Sequence, residues 1–136
     1  MDTQVVVKEG LSTEMIEAGK ELVQQLDKIK FTVHAALWLY LPDVNTWRFM
    51  IANPEVNTHG PTRAYRKVQN ALSRIPRGTP QIELREITVV DTNDPLISMM
   101  RMVIPTGSEI SGIRFSHNVI NGTLIEDAYV YRMLTT

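Results

Sequence analysis

The feature that most narrows the possible folds lies in residues 112–132, where Asn121-Gly122 separates two alternating runs. Asn-Gly in that setting predicts a type I′ turn, since both central residues must take positive φ. A two-residue turn sets Ile120 opposite Thr123, and the register of the whole ribbon follows. Arg114 then faces Tyr129, and His117 faces Glu126. Ile113, Phe115, His117 and Val119 share a face with Leu124, Ala128 and Val130, so one imidazole and one carboxylate sit on an otherwise apolar surface.

A second hairpin is written into residues 31–52. Phe31, Val33, Ala35, Leu37, Leu39 and Leu41 alternate with Thr32, His34, Ala36, Trp38 and Tyr40. The turn Pro42-Asp43-Val44-Asn45 has a mechanism: proline presets φ, while Asp and Asn tolerate strained positions. A four-residue loop pairs Leu41 with Thr46, Tyr40 with Trp47 and Trp38 with Phe49. Four aromatic side chains, Trp38, Tyr40, Trp47 and Phe49, are thereby gathered on one face. Both faces are largely apolar, which predicts a central hairpin covered on each side. The alternative expectation is an exposed aromatic interface.

Three helices are expected between and before these strands. Ser12 caps the first, Leu11 and Ile16 can form its staple, and Met15, Leu22, Leu26 and Ile29 recur at helical spacing. Residues 57–60 read as loop. Pro61 then opens a second helix with Ala64, Tyr65, Val68, Ala71, Leu72 and Ile75 as its apolar stripe. Its polar side has one sign: Arg63, Arg66, Lys67 and Arg74, with Arg77 just beyond, and no acid between residues 61 and 81. Residues 82–91 read as a strand, most clearly at 87–90. Asp94 and Pro95 open a third helix, residues 96–104, which is apolar almost all round and belongs in a core or against a partner. Residues 1–10, with Val5-Val6-Val7, read as a loose arm or an edge strand.

The resulting order is α-β-β-α-β-α-β-β. It predicts an α+β fold, a mostly antiparallel five-stranded sheet with three helices, in one domain over residues 1–136. The 136-residue length permits one sizeable core, and 43% hydrophobic with 21% charged residues is the balance of a globular chain. A net charge of −1 gives no overall steering toward nucleic acid or an anionic membrane. The chain has no cysteine, which excludes disulfides, thiolate zinc sites and cysteine nucleophiles. No basic leader and no membrane-length apolar run are present in it, so a cytoplasmic location and no membrane partner are expected.

Positive chemistry is sparse. His117 and Glu126 are the catalytic candidates, as a base and its orienter, against the plainer reading of a polar pair at the rim of a core. Asp91 and Asp94 follow a strand, where carboxylates can gather around magnesium, but a turn and a helix cap explain them fully. His34, His59 and His117 lack metal-ligand spacing, so no metal site is expected. No glycine-rich phosphate loop or dinucleotide fingerprint occurs, and no cofactor is expected. The basic stripe of residues 61–77 suits an anionic partner, either nucleic acid or an acidic protein surface.

Residues 35–42 (Ala-Leu-Trp-Leu-Tyr-Leu-Pro at their core), 51–56 (Ile-Ala-Asn-Pro-Glu-Val) and 111–122 (Ser-Gly-Ile-Arg-Phe-Ser-His-Asn-Val-Ile-Asn-Gly) resemble segments of small uncharacterised bacterial proteins. The resemblance spans about residues 11–132. It implies a bacterial, stand-alone domain and transfers no catalytic residue. The leading expectation is a non-enzymatic interaction or accessory protein that acts through a protein partner or as a homodimer. Its interface candidates are Trp38, Tyr40, Trp47, Phe49, Met99 and Met102, since Trp and Met suit adaptable surfaces. A nucleic-acid-binding or processing factor using the basic helix, and a small hydrolase or ligand-binding domain using His117 and Glu126, follow in that order.

Overall fold

The computed structural model describes residues 10–135. The arm or edge strand expected over residues 1–10 therefore lies outside the described residues, save Gly10. Helix α1 spans Thr13–Lys28, and the Ser12 side chain accepts the Met15 N–H at 3.1 Å. Strands β1 (Ala35–Leu41) and β2 (Thr46–Ala52) form the first hairpin, with every rung at the expected register, Trp38 opposite Phe49 and Tyr40 opposite Trp47. Strand β1 starts later than the alternation suggested. Phe31 and Val33 join the core on one side of the sheet, whereas Ala35, Leu37 and Leu39 face the other. The parity changes at His34, whose backbone bonds Ala52 and Leu134.

A five-residue helix, α2 (Glu55–His59), replaces the expected loop. Its start is organised by Asn53, which is fully buried and accepts the Glu55 N–H at 2.8 Å while donating to the Thr32 carbonyl at 2.7 Å. Gly60, at φ 81°, separates it from helix α3 (Pro61–Ser73). The strand expected over residues 82–91 is shorter. A turn of 3₁₀ helix, Leu84–Glu86, precedes β3 (Ile87–Val90), because Glu83 and Glu86 cap each other's backbone N–H groups. Helix α4 (Pro95–Val103) is capped by Asp94, which accepts from Leu96 and Ile97. The opening hairpin becomes β4 (Ile113–Ile120) and β5 (Thr123–Met133), with Asn121 at φ 50° and Gly122 at φ 81° as a type I′ turn requires.

The five strands form one sheet in the order β3-β2-β1-β5-β4. All pairs are antiparallel except β2 and β3, which are parallel because the chain crosses between them through α2 and α3. The fold is thus α+β, with three long helices and one short one.

Each face of the sheet has its own core. On the first, Trp38, Tyr40, Trp47, Phe49 and Tyr131 pack under Leu22, Val23 and Leu26 of α1 and Ala64, Val68 and Ala71 of α3. The rings meet edge-on or tilted, Trp38 to Phe49 at 5.1 Å and Phe49 to Tyr131 at 5.8 Å between centroids. Helix α1 is tied to the sheet by two side-chain donors: Trp38 Nε1 to the Met15 carbonyl, 2.9 Å, and the Tyr131 hydroxyl to the Ile16 carbonyl, 2.7 Å. Gly19 permits this approach, since a Cβ there would lie 2.3 Å from that hydroxyl. The second core is aliphatic. Leu37, Leu39, Met50, Ile125, Ala128 and Val130 pack with Ile97 and Met100 of α4. Burying each such large side chain contributes about 1.5–3 kcal/mol. Among the described residues no helix is long and apolar enough to cross a membrane.

Candidate functional site

The catalytic pair read from the second hairpin does not assemble. Rungs form at Ser116–Asp127 and Asn118–Ile125, but the rung between them, His117 with Glu126, is missing. His117 takes φ 52°, outside the extended region, so its side chain leaves the regular pleat. The ribbon changes face at this point. Phe115 and Ala128 pack with the second core, and so do Ile120 and Ile125, which strict alternation would turn away. Val119 and Leu124 are the residues left exposed. His117 is exposed and Glu126 half-buried, and no hydrogen bond or ion pair joins them.

The buried carboxylate of the ribbon is instead Asp127, which is 3% exposed. It accepts from Arg114 Nε and Nη2 at 2.5 and 2.6 Å, and from the Ser116 hydroxyl at 3.0 Å. The fork-to-fork bond raises the Arg114 pKa above its ordinary value. The same guanidinium lies 5.7 Å from the centroid of the Trp47 ring, which locks the edge ribbon to the first core. This pair was half legible: the register puts Asp127 opposite Ser116 and one step diagonal from Arg114. Its role is structural, because the carboxylate is consumed.

Trp38, Tyr40, Trp47 and Phe49 are 2%, 5%, 6% and 0% exposed, so they are core and offer no interface. The physical reason is the central position of the first hairpin, which leaves its aromatic face under two helices. Met99 is half-buried against the second core, and Met102 is 80% exposed. Asp94 is engaged as a cap and Asp91 accepts the Thr92 N–H at 2.8 Å; among the described residues no group of three or more acids and histidines is placed to hold a metal. Burial, and then the charge of Arg101, lower the His34 pKa below its ordinary value.

The basic residues are the part of the expectation that gathers into a surface. Arg63, Lys67 and Arg74 follow one another at helical spacing along α3, with Arg66 beside them and Arg77 past its end. Arg63, Arg66, Arg74 and Arg77 are exposed, and none has an ion-pair or hydrogen-bond partner among the described residues. Lys67 is half-buried and bonds Glu55 at 3.1 Å. That bond, with the charges of Arg63 and His59 adding to it, holds the Glu55 carboxyl below the usual carboxylate range.

Beside this stripe runs a groove of about 380 Å³, lined by Pro61, Thr62, Tyr65, Arg66 and Gln69 of α3 and by Leu84 from the 3₁₀ turn. The five α3 residues form one ridge, and Leu84 faces it from a segment the sequence does not associate with the helix. Tyr65 is held in place because its hydroxyl accepts the Val89 N–H at 3.0 Å. The groove is therefore a shallow concavity walled by a ring and an aliphatic side chain, with Thr62, Arg66 and Gln69 as its polar lining. Comparison of the chain with protein-family models, with curated proteins and with solved structures finds no match.

Proposed function

We propose that the protein is an interaction domain that docks an acidic segment of a partner protein onto α3. One observation carries this reading: a groove walled by Tyr65 and Leu84 has Arg66 in its lining, and that guanidinium has no ion-pair or hydrogen-bond partner among the described residues. Arg and Tyr around a small apolar pocket are the residue types that dominate binding energy at protein interfaces. The unpaired charges would steer an acidic segment and set its register more than its affinity.

A protein segment fits better than a nucleic acid. The ring beside the stripe, Tyr65, is half-buried and fixed by its hydrogen bond, so it is poorly placed to stack on a base.

Fluorescence anisotropy with a labelled peptide of alternating glutamate and leucine tests the reading. Saturable binding is expected, weakened by about tenfold or more in the Arg63→Glu, Arg66→Glu, Arg74→Glu variant at low salt. Leu84→Ala should weaken it without changing its salt dependence. Binding of duplex DNA or RNA in preference to the peptide would replace this reading with the nucleic-acid one.

A further inference from the structure

A second concavity, on different residues from the α3 groove, lies at the C-terminal end of α1. It measures about 400 Å³ and brings together the last turn of α1, residues 30–33, Ser108 and the end of β5. Small-molecule sites commonly span about 300–1,000 Å³.

The way α1 ends singles out Lys30. Its N–H donates to the Asp27 carbonyl at 3.1 Å, and the Phe31 N–H donates to the Leu26 carbonyl at 3.0 Å, the two bonds of a Schellman motif. Such a motif puts the residue after the cap in the left-handed region, and Lys30 takes φ 61°. Glycine or asparagine is the usual occupant there, because a Cβ is strained in that conformation. A lysine at this position gives up backbone ease, and it is this lysine that lines the concavity.

The charges of the lining do not cancel. Asp27 is its one carboxylate, and Arg132 holds both oxygens, from Nη1 at 3.0 Å and from Nη2 at 2.9 Å. Arg132 is 6% exposed, and its buried Nε N–H has no acceptor among the described residues, so the pair leaves a donor over. Lys30 is exposed, and its ammonium has no ion-pair or hydrogen-bond partner among the described residues. Thr32 and Ser108 are exposed too, and their hydroxyls have no partner there either. Phe31, Val33 and Leu134 supply the apolar walls.

We infer that this concavity is a binding site for a carboxylate with a short apolar body. The Lys30 ammonium would pair with the carboxylate, the Thr32 and Ser108 hydroxyls would donate to it, and the alkyl part would rest on Val33 and Leu134. One uncompensated cation matches a monoanion better than a phosphate dianion. The same group occurs on free short-chain acids and at the C-terminus of a polypeptide.

Amide chemical shifts of the full chain, followed during titration with isovalerate, should change saturably at residues 30–33, Ser108 and Leu134. Isoamyl alcohol and isoamylammonium should not reproduce the change. Lys30→Gln should weaken isovalerate by about threefold to fivefold at low salt, while Lys30→Arg keeps the affinity. Lys30→Gly should weaken it as much and raise the melting temperature, since glycine takes this φ without strain. A lysine that served only the helix end would show the second effect without the first. Tighter binding of N-acetylleucine than of isovalerate assigns the site to a chain terminus, and the reverse assigns it to a free acid. No saturable change at these residues, equal binding of the alcohol or of inorganic phosphate, or an affinity indifferent to Lys30→Gln and Lys30→Gly would overturn the inference.

Discussion

The two hairpins of this chain follow the same local rules and end in different circumstances. The first, β1–β2, has every rung in place and both faces buried, with Phe49 and Leu37 at 0% exposure. The second, β4–β5, has an equally well specified turn, yet one rung is missing, its faces change over at His117, and Val119 and Leu124 stay 68% and 55% exposed. Position in the sheet makes the difference. Strand β1 lies between β2 and β5, whereas β4 is an edge, and β5 pairs with β1 only from Ala128 onward. A ribbon free of a neighbour can twist and break its pleat where a central one cannot.

Three measurements sharpen or break that contrast. The largest effect belongs to the central hairpin. Phe49→Ala removes the ring that touches Trp38 and Tyr131, and urea unfolding should show a loss of about 3–5 kcal/mol. A loss near 1 kcal/mol would mean that the first core can collapse as readily as an edge, and the contrast would fail. Next comes the tether of the edge ribbon. Arg114→Ala leaves the buried Asp127 carboxylate without its fork, which should cost about 2–4 kcal/mol in the same assay. The smallest effect is expected at the missing rung. Glycine takes positive φ freely, so His117→Gly should leave stability within about 1 kcal/mol of the parent, on the stabilising side. A clear destabilisation there would show that the imidazole is held by contacts the break in the ladder does not suggest.

Much of the frame was legible before any coordinates. The registers of both hairpins, the caps at Ser12 and Asp94 and the apolar stripe of α3 all follow from spacing and turn chemistry, since those signals are local. The expected strand over 82–91 shrank because Glu83 and Glu86 close a reciprocal cap, a pattern of spacing three that the β-branched run nearby obscured. The expected loop at 57–60 hid a short helix because its organiser, Asn53, acts from outside it. The candidate surfaces were less visible. The arginines of α3 could be read directly, but the groove beside them needs Leu84, which lies far from the helix in the sequence.

The sequence by itself determined the three long helices, the five strands and their order, the pairing inside each hairpin and the one-signed face of α3. Each of these depends on residues within about a dozen positions of one another, where backbone preference and side-chain period act directly. The two apolar faces of the first hairpin already predict its central place; only the tertiary structure set β3 and β5 on either side of it and left β4 of the second hairpin at an edge. That arrangement buried the four aromatics named as interface candidates and left the rung between His117 and Glu126 unformed. It arises from which apolar faces cover one another across the sheet, a competition among distant segments that no local pattern records.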